Sequence, residues 1–134
     1  MDFSALKPWR GRIRSILRIM AALLFMQHGT QKILSFPAEA GFPVAGMSYA
    51  AGLIELIGGL LLAIGLFSRP AVFLMSGMCA VGYFLVHAPK GFFPIQNGGE
   101  LIALYCFVFL YLFFAGPGPW SVDAIRKRGL GADD

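Results

Sequence analysis

Five ionisable side chains, His28, Lys32, Glu55, His87 and Glu100, stand within or at the ends of long apolar runs. Hydrocarbon excludes such groups unless they pair, face the interior of a helix bundle or line a wet cavity, so they mark where chemistry is expected. Two carboxylates, two imidazoles and an amine could exchange protons, hydrogen-bond a polar ligand or simply hold one another as buried pairs.

Metal binding is the first chemistry to test against the spacing. Two histidines and two carboxylates suit zinc or iron, but di-metal bundles draw Glu-x-x-His from each of two helices, and neither Glu55 nor Glu100 is followed by histidine at that interval. No metal is expected. Cys79 and Cys106 could form a dithiol pair, yet neither belongs to a C-x-x-C motif. At about 100° per residue they also point roughly 80° and 120° away from His87 and Glu100, so both read as small packing residues.

The elements that must position these groups follow from composition. The chain has 134 residues, 57% hydrophobic and 13% charged; soluble domains carry about 25% charged residues. A hydrocarbon core of about 30 Å takes about 20 apolar residues per helix, and four such runs use most of the chain: about 15–34, 48–67, 71–88 and 98–115. The run from Ile16 to Leu34 shows no small-residue cleavage pattern, which reads as a retained span rather than a secretory signal. The expected fold is all-α, an antiparallel up-down four-helix transmembrane bundle. Residues 1–14 form a basic cytoplasmic N-terminus and residues 117–134 a cytoplasmic tail with a surface helix through Ile125 and Arg128.

Orientation comes from the cations. Lys7, Arg10, Arg12, Arg14, Arg18, Arg69, Arg126, Lys127 and Arg128 fall on one side of such a bundle, nine of the eleven Lys and Arg, leaving Lys32 and Lys90 for the other. By the positive-inside rule both termini are cytoplasmic. The net charge of +4 gathers at the termini without interleaved aromatics, so nucleic acid is not an expected partner.

In that frame the five ionisable groups share the outer half of the bundle. Helical phase places Arg18, Ala21, Phe25, His28 and Lys32 on one stripe of the first helix and Ser48, Gly52, Glu55, Gly59 and Leu62 on one stripe of the second. Ser76, Ala80, Tyr83 and His87 make the third stripe, and Glu100, Leu104, Phe107 and Tyr111 the fourth. The predicted site is an outer pocket of His28, Lys32, Glu55, Tyr83, His87 and Glu100, with Arg18 and Arg69 anchoring the cytoplasmic rim. Such a pocket suits an amphipathic ligand such as a quinone, its apolar part along Phe25, Phe84 and Phe107 and its lid formed by Phe92 and Phe93. A proton or small-solute path is a weaker fit, because only Arg18, Arg69 and Tyr111 continue the polar row into the cytoplasmic half. The same residues also fit a noncatalytic assembly or anchor subunit whose buried charges set helix register.

The order of several short segments resembles the DoxX family of small bacterial membrane proteins. The segments are Leu17 and Arg18, Gly29 to Lys32, Gly41-Phe42-Pro43, Glu55 with Gly58 and Gly59, and Gly65 to Phe67 with Arg69. His87 to Phe93, Glu100 and the closing GPGPWSVD of Gly116 to Asp123 complete the set. The resemblance implies a four-helix inner-membrane bundle and a link to redox, through quinone or through partner oxidoreductase subunits in a membrane complex. A homo-oligomer is a further expectation.

Overall fold

The computed structural model describes residues 2–131. Among them there are six α-helices and no strand: α1 (Arg10–Leu34), α2 (Met47–Ile64), α3 (Ser68–Gly82), the short α4 (Pro94–Asn97), α5 (Glu100–Ala115) and α6 (Val122–Gly129). A 3-10 turn, Ser4–Trp9, precedes α1. α3 runs on through a π-turn, Tyr83–His87, and a 3-10 turn, Ala88–Lys90.

The helix ends follow from local sequence. Gly65, in the left-handed region at φ 73°, closes α2 with Gly65 N–H donating to Leu62 O and Leu66 N–H to Leu61 O, a Schellman arrangement. The next helix begins three residues later, at Ser68. Its first free amides are satisfied from far along the chain, since Asp123 accepts from Phe67 N–H at 2.9 Å and Ser68 N–H at 2.8 Å. Ser121 caps α6, its Oγ accepting from Ala124 N–H.

α1 packs chiefly along α2 and α3 along α5, with α2 against α3 and α1 against α5 completing the assembly. One buried cluster serves all four: Ala22 and Phe25 from α1, Leu62 from α2, Met75 and Cys79 from α3, and Tyr105, Phe109 and Leu112 from α5. Phe25 meets Tyr105 and Phe109 edge to face, at centroid distances of 5.1 and 4.9 Å.

Glycines set the closeness of α1 to α2. A Cβ at Gly29 would stand 2.4 Å from Leu56 N, and one at Gly59 would stand 2.7 Å from Met26 Cβ, so only hydrogen fits at either contact. Small residues that admit such backbone approach are the usual device for packing helices where hydrophobic exclusion gives no drive.

Two segments, Met47–Ile64 and Ser68–Lys90, are long and apolar enough to cross a membrane, and only 22% of each is buried inside the molecule. Core helices of soluble proteins would be mostly covered; here Ile57, Leu60, Phe73 and Val81 face outward. Contiguous apolar exposure on that scale signals contact with lipid or another protein. α5 is equally apolar but has 16 residues, a rise of about 24 Å. α1 has the length, 25 residues, but carries four arginines, Gln27, His28 and Lys32.

The phase expected for the fourth helix is corrected by the packing. Leu104, Phe107 and Tyr111 face outward, and the buried stripe is Tyr105, Phe109 and Leu112. With apolar residues all round α5, sequence periodicity carries no preferred direction, and aromatic fit against Phe25 decides the rotation.

Candidate functional site

Two polar groups occupy one end of the helices, and a third occupies the other. The first joins α1 to α2. Lys32 Nζ donates to both carboxylate oxygens of Glu55, at 2.8 and 2.9 Å, with the lysine side chain 16% and the glutamate 8% exposed. Gly52 makes room one turn before Glu55, since a Cβ there would lie 2.9 Å from Lys32 Cβ. His28, one turn back on α1 and half-buried, stands edge-on to Tyr105 at 6.4 Å.

The second group is built by the π-turn. A π-turn admits one extra residue per turn and often marks a specialised position; here it carries Tyr83 and His87 toward Asn97 in α4. His87 Nδ1 donates to Asn97 O at 3.0 Å. The Asn97 amide donates to Tyr83 Oη at 3.1 Å and to Gly91 O at 3.0 Å, and its Oδ1 accepts from Gly99 N–H at 2.8 Å. Asn97 is buried and completes its hydrogen bonding within a single loop. Sequence reasoning passed over it; its position just before two glycines at a helix start was the available signal.

The sequence-predicted residues are therefore brought together in part. Lys32 and Glu55 pair, with His28 beside them; Tyr83 and His87 meet through Asn97 instead. Glu100 is exposed at the start of α5 and has no hydrogen-bond partner among the described residues, so it orients neither histidine. Of the three phenylalanines expected along a ligand, Phe25 is in the core, while Phe84 and Phe107 are 69% and 68% exposed on the outer surface. Phe92 and Phe93 also project outward rather than covering either group. Two concavities are lined by other residues: an apolar groove between α2 and α3 around Gly58, and an open cavity with charged residues in its wall at the opposite end.

That opposite end holds the third group. Arg18, expected at the rim, is instead wholly buried. Its Nη1 donates to Pro117 O, and its Nη2 to Trp120 O at 2.6 Å and Ala63 O at 3.5 Å. Ser15, one turn earlier, accepts from Trp120 N–H at 3.1 Å. Gly118, at φ 85°, lets the loop lie against α1, where a Cβ would strike Ser15 Oγ at 2.3 Å. The closing segment Gly116 to Asp123 thus clasps α1 through Arg18 and α3 through Asp123. Arg69 is exposed, its guanidinium over Gly116. Cys79 is buried in the core and Cys106 half-buried beside Ser76, whose hydroxyl donates to Cys106 O at 2.8 Å.

The DoxX family pattern matches residues 13–88, more than half of the chain, and takes in Arg18, His28, Lys32, Glu55, Tyr83 and His87. The chain belongs to the DoxX family. Among DoxX relatives, an uncharacterized protein of Haemophilus influenzae is 45% identical over 125 residues, covering 88% of this chain and 93% of its own. A second uncharacterized Haemophilus influenzae protein is 30% identical over 92 residues, covering 69% of this chain and 57% of its own. An uncharacterized membrane protein of Mycobacterium tuberculosis is 25% identical over 132 residues, covering 84% of this chain and 80% of its own. No solved structure matches this DoxX chain significantly. With its outward apolar faces and these relatives, it is a membrane protein.

Proposed function

We propose that this DoxX protein crosses the bacterial inner membrane four times, with both ends in the cytoplasm, as a noncatalytic assembly subunit that holds an oxidoreductase partner at the bilayer. Four antiparallel spans account for the cation asymmetry and for four helices that share one core while exposing apolar backs. The link to redox is carried by the family resemblance alone.

The observation that favours an assembly role over turnover is the Lys32–Glu55 pair. Both carboxylate oxygens are engaged by one ammonium, so the group that a ligand or proton would need is already spent on joining α1 to α2. The test is affinity purification of the full chain from its native membranes, with Lys32→Met and Glu55→Gln alongside. A stoichiometric partner with oxidoreductase activity, lost from the variants while that partner's own turnover persists, is the expected outcome. A chain that purifies alone and oxidises or reduces a quinone by itself overturns the reading.

A quinone site is the second reading, favoured by His28, one turn before Lys32 on α1, standing edge-on to Tyr105 at the end of the aromatic row Phe25, Tyr105 and Phe109. A quinone carbonyl there would take a hydrogen bond from His28 or Tyr105, with Lys32 balancing charge. Ubiquinone and menaquinone binding to the wild type, weakened in Glu55→Gln and unchanged in His87→Ala, would establish it. Unchanged affinity in Glu55→Gln discards it. A proton or solute path is disfavoured, because the buried Phe25, Leu62, Met75 and Phe109 belong to one apolar core cluster.

A further inference from the structure

The cavity beside the closing loop carries cations that the clasp itself does not use. It is open, about 640 Å³, and its walls come from the start of α1, the α2–α3 turn, the closing loop and α6. Arg14, Arg69 and Lys127 line it together with one carboxylate, Asp123. Both Asp123 oxygens accept from the Phe67 and Ser68 amides, and the three cations outnumber this one carboxylate in the cavity wall.

Two buried polar atoms there lack partners among the described residues. Ser68 is 2% exposed and its hydroxyl makes no hydrogen bond, and the buried Nε of Arg14 is likewise unmatched. Glycine supports the geometry. Gly116 adopts φ 81° and leaves space for the Arg69 guanidinium, whose Nη2 would lie 3.1 Å from a Cβ there.

We propose that this cavity is a binding site for a phosphate-bearing anion, held by Arg14, Arg69 and Lys127. Guanidinium groups match phosphate oxygens in geometry and charge. Three cations against one carboxylate favour a ligand with net negative charge, and a zwitterionic headgroup would bring its own cation into the cluster. The same chemistry is offered by an anionic phospholipid headgroup and by a free phosphate. The lipid source rests on the proposed orientation, which puts this end at the cytoplasmic headgroups; the free-phosphate source and the assembly role stand independently of each other.

The experiment uses the full chain purified in a neutral detergent. Binding of phosphatidylglycerol and of phosphatidylcholine is measured by native mass spectrometry, and thermal stability is measured in inorganic phosphate against chloride at equal ionic strength. Arg69→Gln and Lys127→Gln, both at exposed positions, are compared with wild type. The expected result is preferential phosphatidylglycerol binding that falls about tenfold in each charge variant and more in the pair, since each loses one charge-assisted contact. Phosphatidylglycerol preference without phosphate stabilisation assigns a lipid headgroup; phosphate stabilisation without lipid preference assigns a free phosphate, and both support the site. Equal binding of the two lipids with no phosphate effect overturns it. So does full retention of the anion effect in the Arg69→Gln, Lys127→Gln double variant whose melting in chloride matches wild type.

Discussion

Arg18 donates from Nη2 to the carbonyl of Trp120 at 2.6 Å across 102 residues of sequence, joining the first long helix to the closing loop. The guanidinium is wholly buried and reaches Pro117 and Ala63 carbonyls as well. These contacts join the closing loop to α1 and α2, so the clasp determines whether the last segment stays docked.

Replacing Arg18 with methionine keeps an unbranched apolar stem and removes the donors. The variant is expected to lose about 2–4 kcal/mol, on the scale of hydrogen bonds to a charged group plus the acceptors left unmatched. Limited proteolysis provides the specific readout: cleavage between Gly116 and Ser121 should become rapid while the helices before it remain protected. Arg18→Lys, a single point charge without the planar fork, should rescue only part of the protection.

For the Lys32–Glu55 pair the expected pattern is strongly non-additive. Lys32→Met or Glu55→Leu alone leaves one buried charge uncompensated and costs about 3–5 kcal/mol, whereas the double substitution is close to neutral. Unfolding in detergent measures the cycle. Equal, additive losses would mean the two groups do not support one another. A double variant that is stable yet fails to retain its partner would separate assembly from stability.

Gly29 tests the closeness of α1 and α2. Gly29→Ala inserts a methyl where 2.4 Å separates the ideal Cβ from Leu56 N, and overpacking on that scale costs about 1–3 kcal/mol. Gly77→Ala on α3, with nothing within 4 Å of its Cβ, is the control and should be neutral or stabilising by about 0.5–1 kcal/mol. Melting temperatures of the two variants should move in opposite directions.

Asn97→Leu removes three hydrogen bonds of the π-turn network at once. Hydrogen exchange in residues 88–99 should accelerate, with a stability loss of about 2–3 kcal/mol, while exchange within α1 stays slow. Loss of protection throughout the molecule would instead make Asn97 part of the common core.

Topology is open to a labelling test in a background carrying Cys79→Ala and Cys106→Ala. A membrane-impermeant maleimide applied to intact spheroplasts should label Gly41→Cys directly and label Leu130→Cys only after permeabilisation. The reverse pattern inverts the orientation, and labelling of both positions from outside removes the even number of crossings.

Much of the architecture was legible in the chain because membrane helices advertise themselves by composition. Sustained apolar runs bounded by Gly65, Pro70 and Gly116 specify helices and their ends, and a mixed small and polar stripe specifies which face turns inward. That rule succeeds for α1 and α2, where Arg18, Phe25, Gly52, Glu55 and Gly59 stand out against leucine and isoleucine. It fails for α5, whose sixteen residues after Gly99 offer no contrast between faces.

The candidate residues divide along the same line. Their types, their shared end of the bundle and their cost in hydrocarbon are properties of the sequence, fixed by side-chain chemistry and helix rise. Who pairs with whom is decided by packing. The width of the Gly29 and Gly52 contacts selects Lys32 as the partner of Glu55, and the extra residue of the π-turn swings His87 to Asn97 instead of Glu100. Arg18 received its partners from a loop more than ninety residues away. Periodicity along one helix cannot encode such contacts, because they depend on how far apart two backbones come to rest and on where a turn departs from ideal geometry.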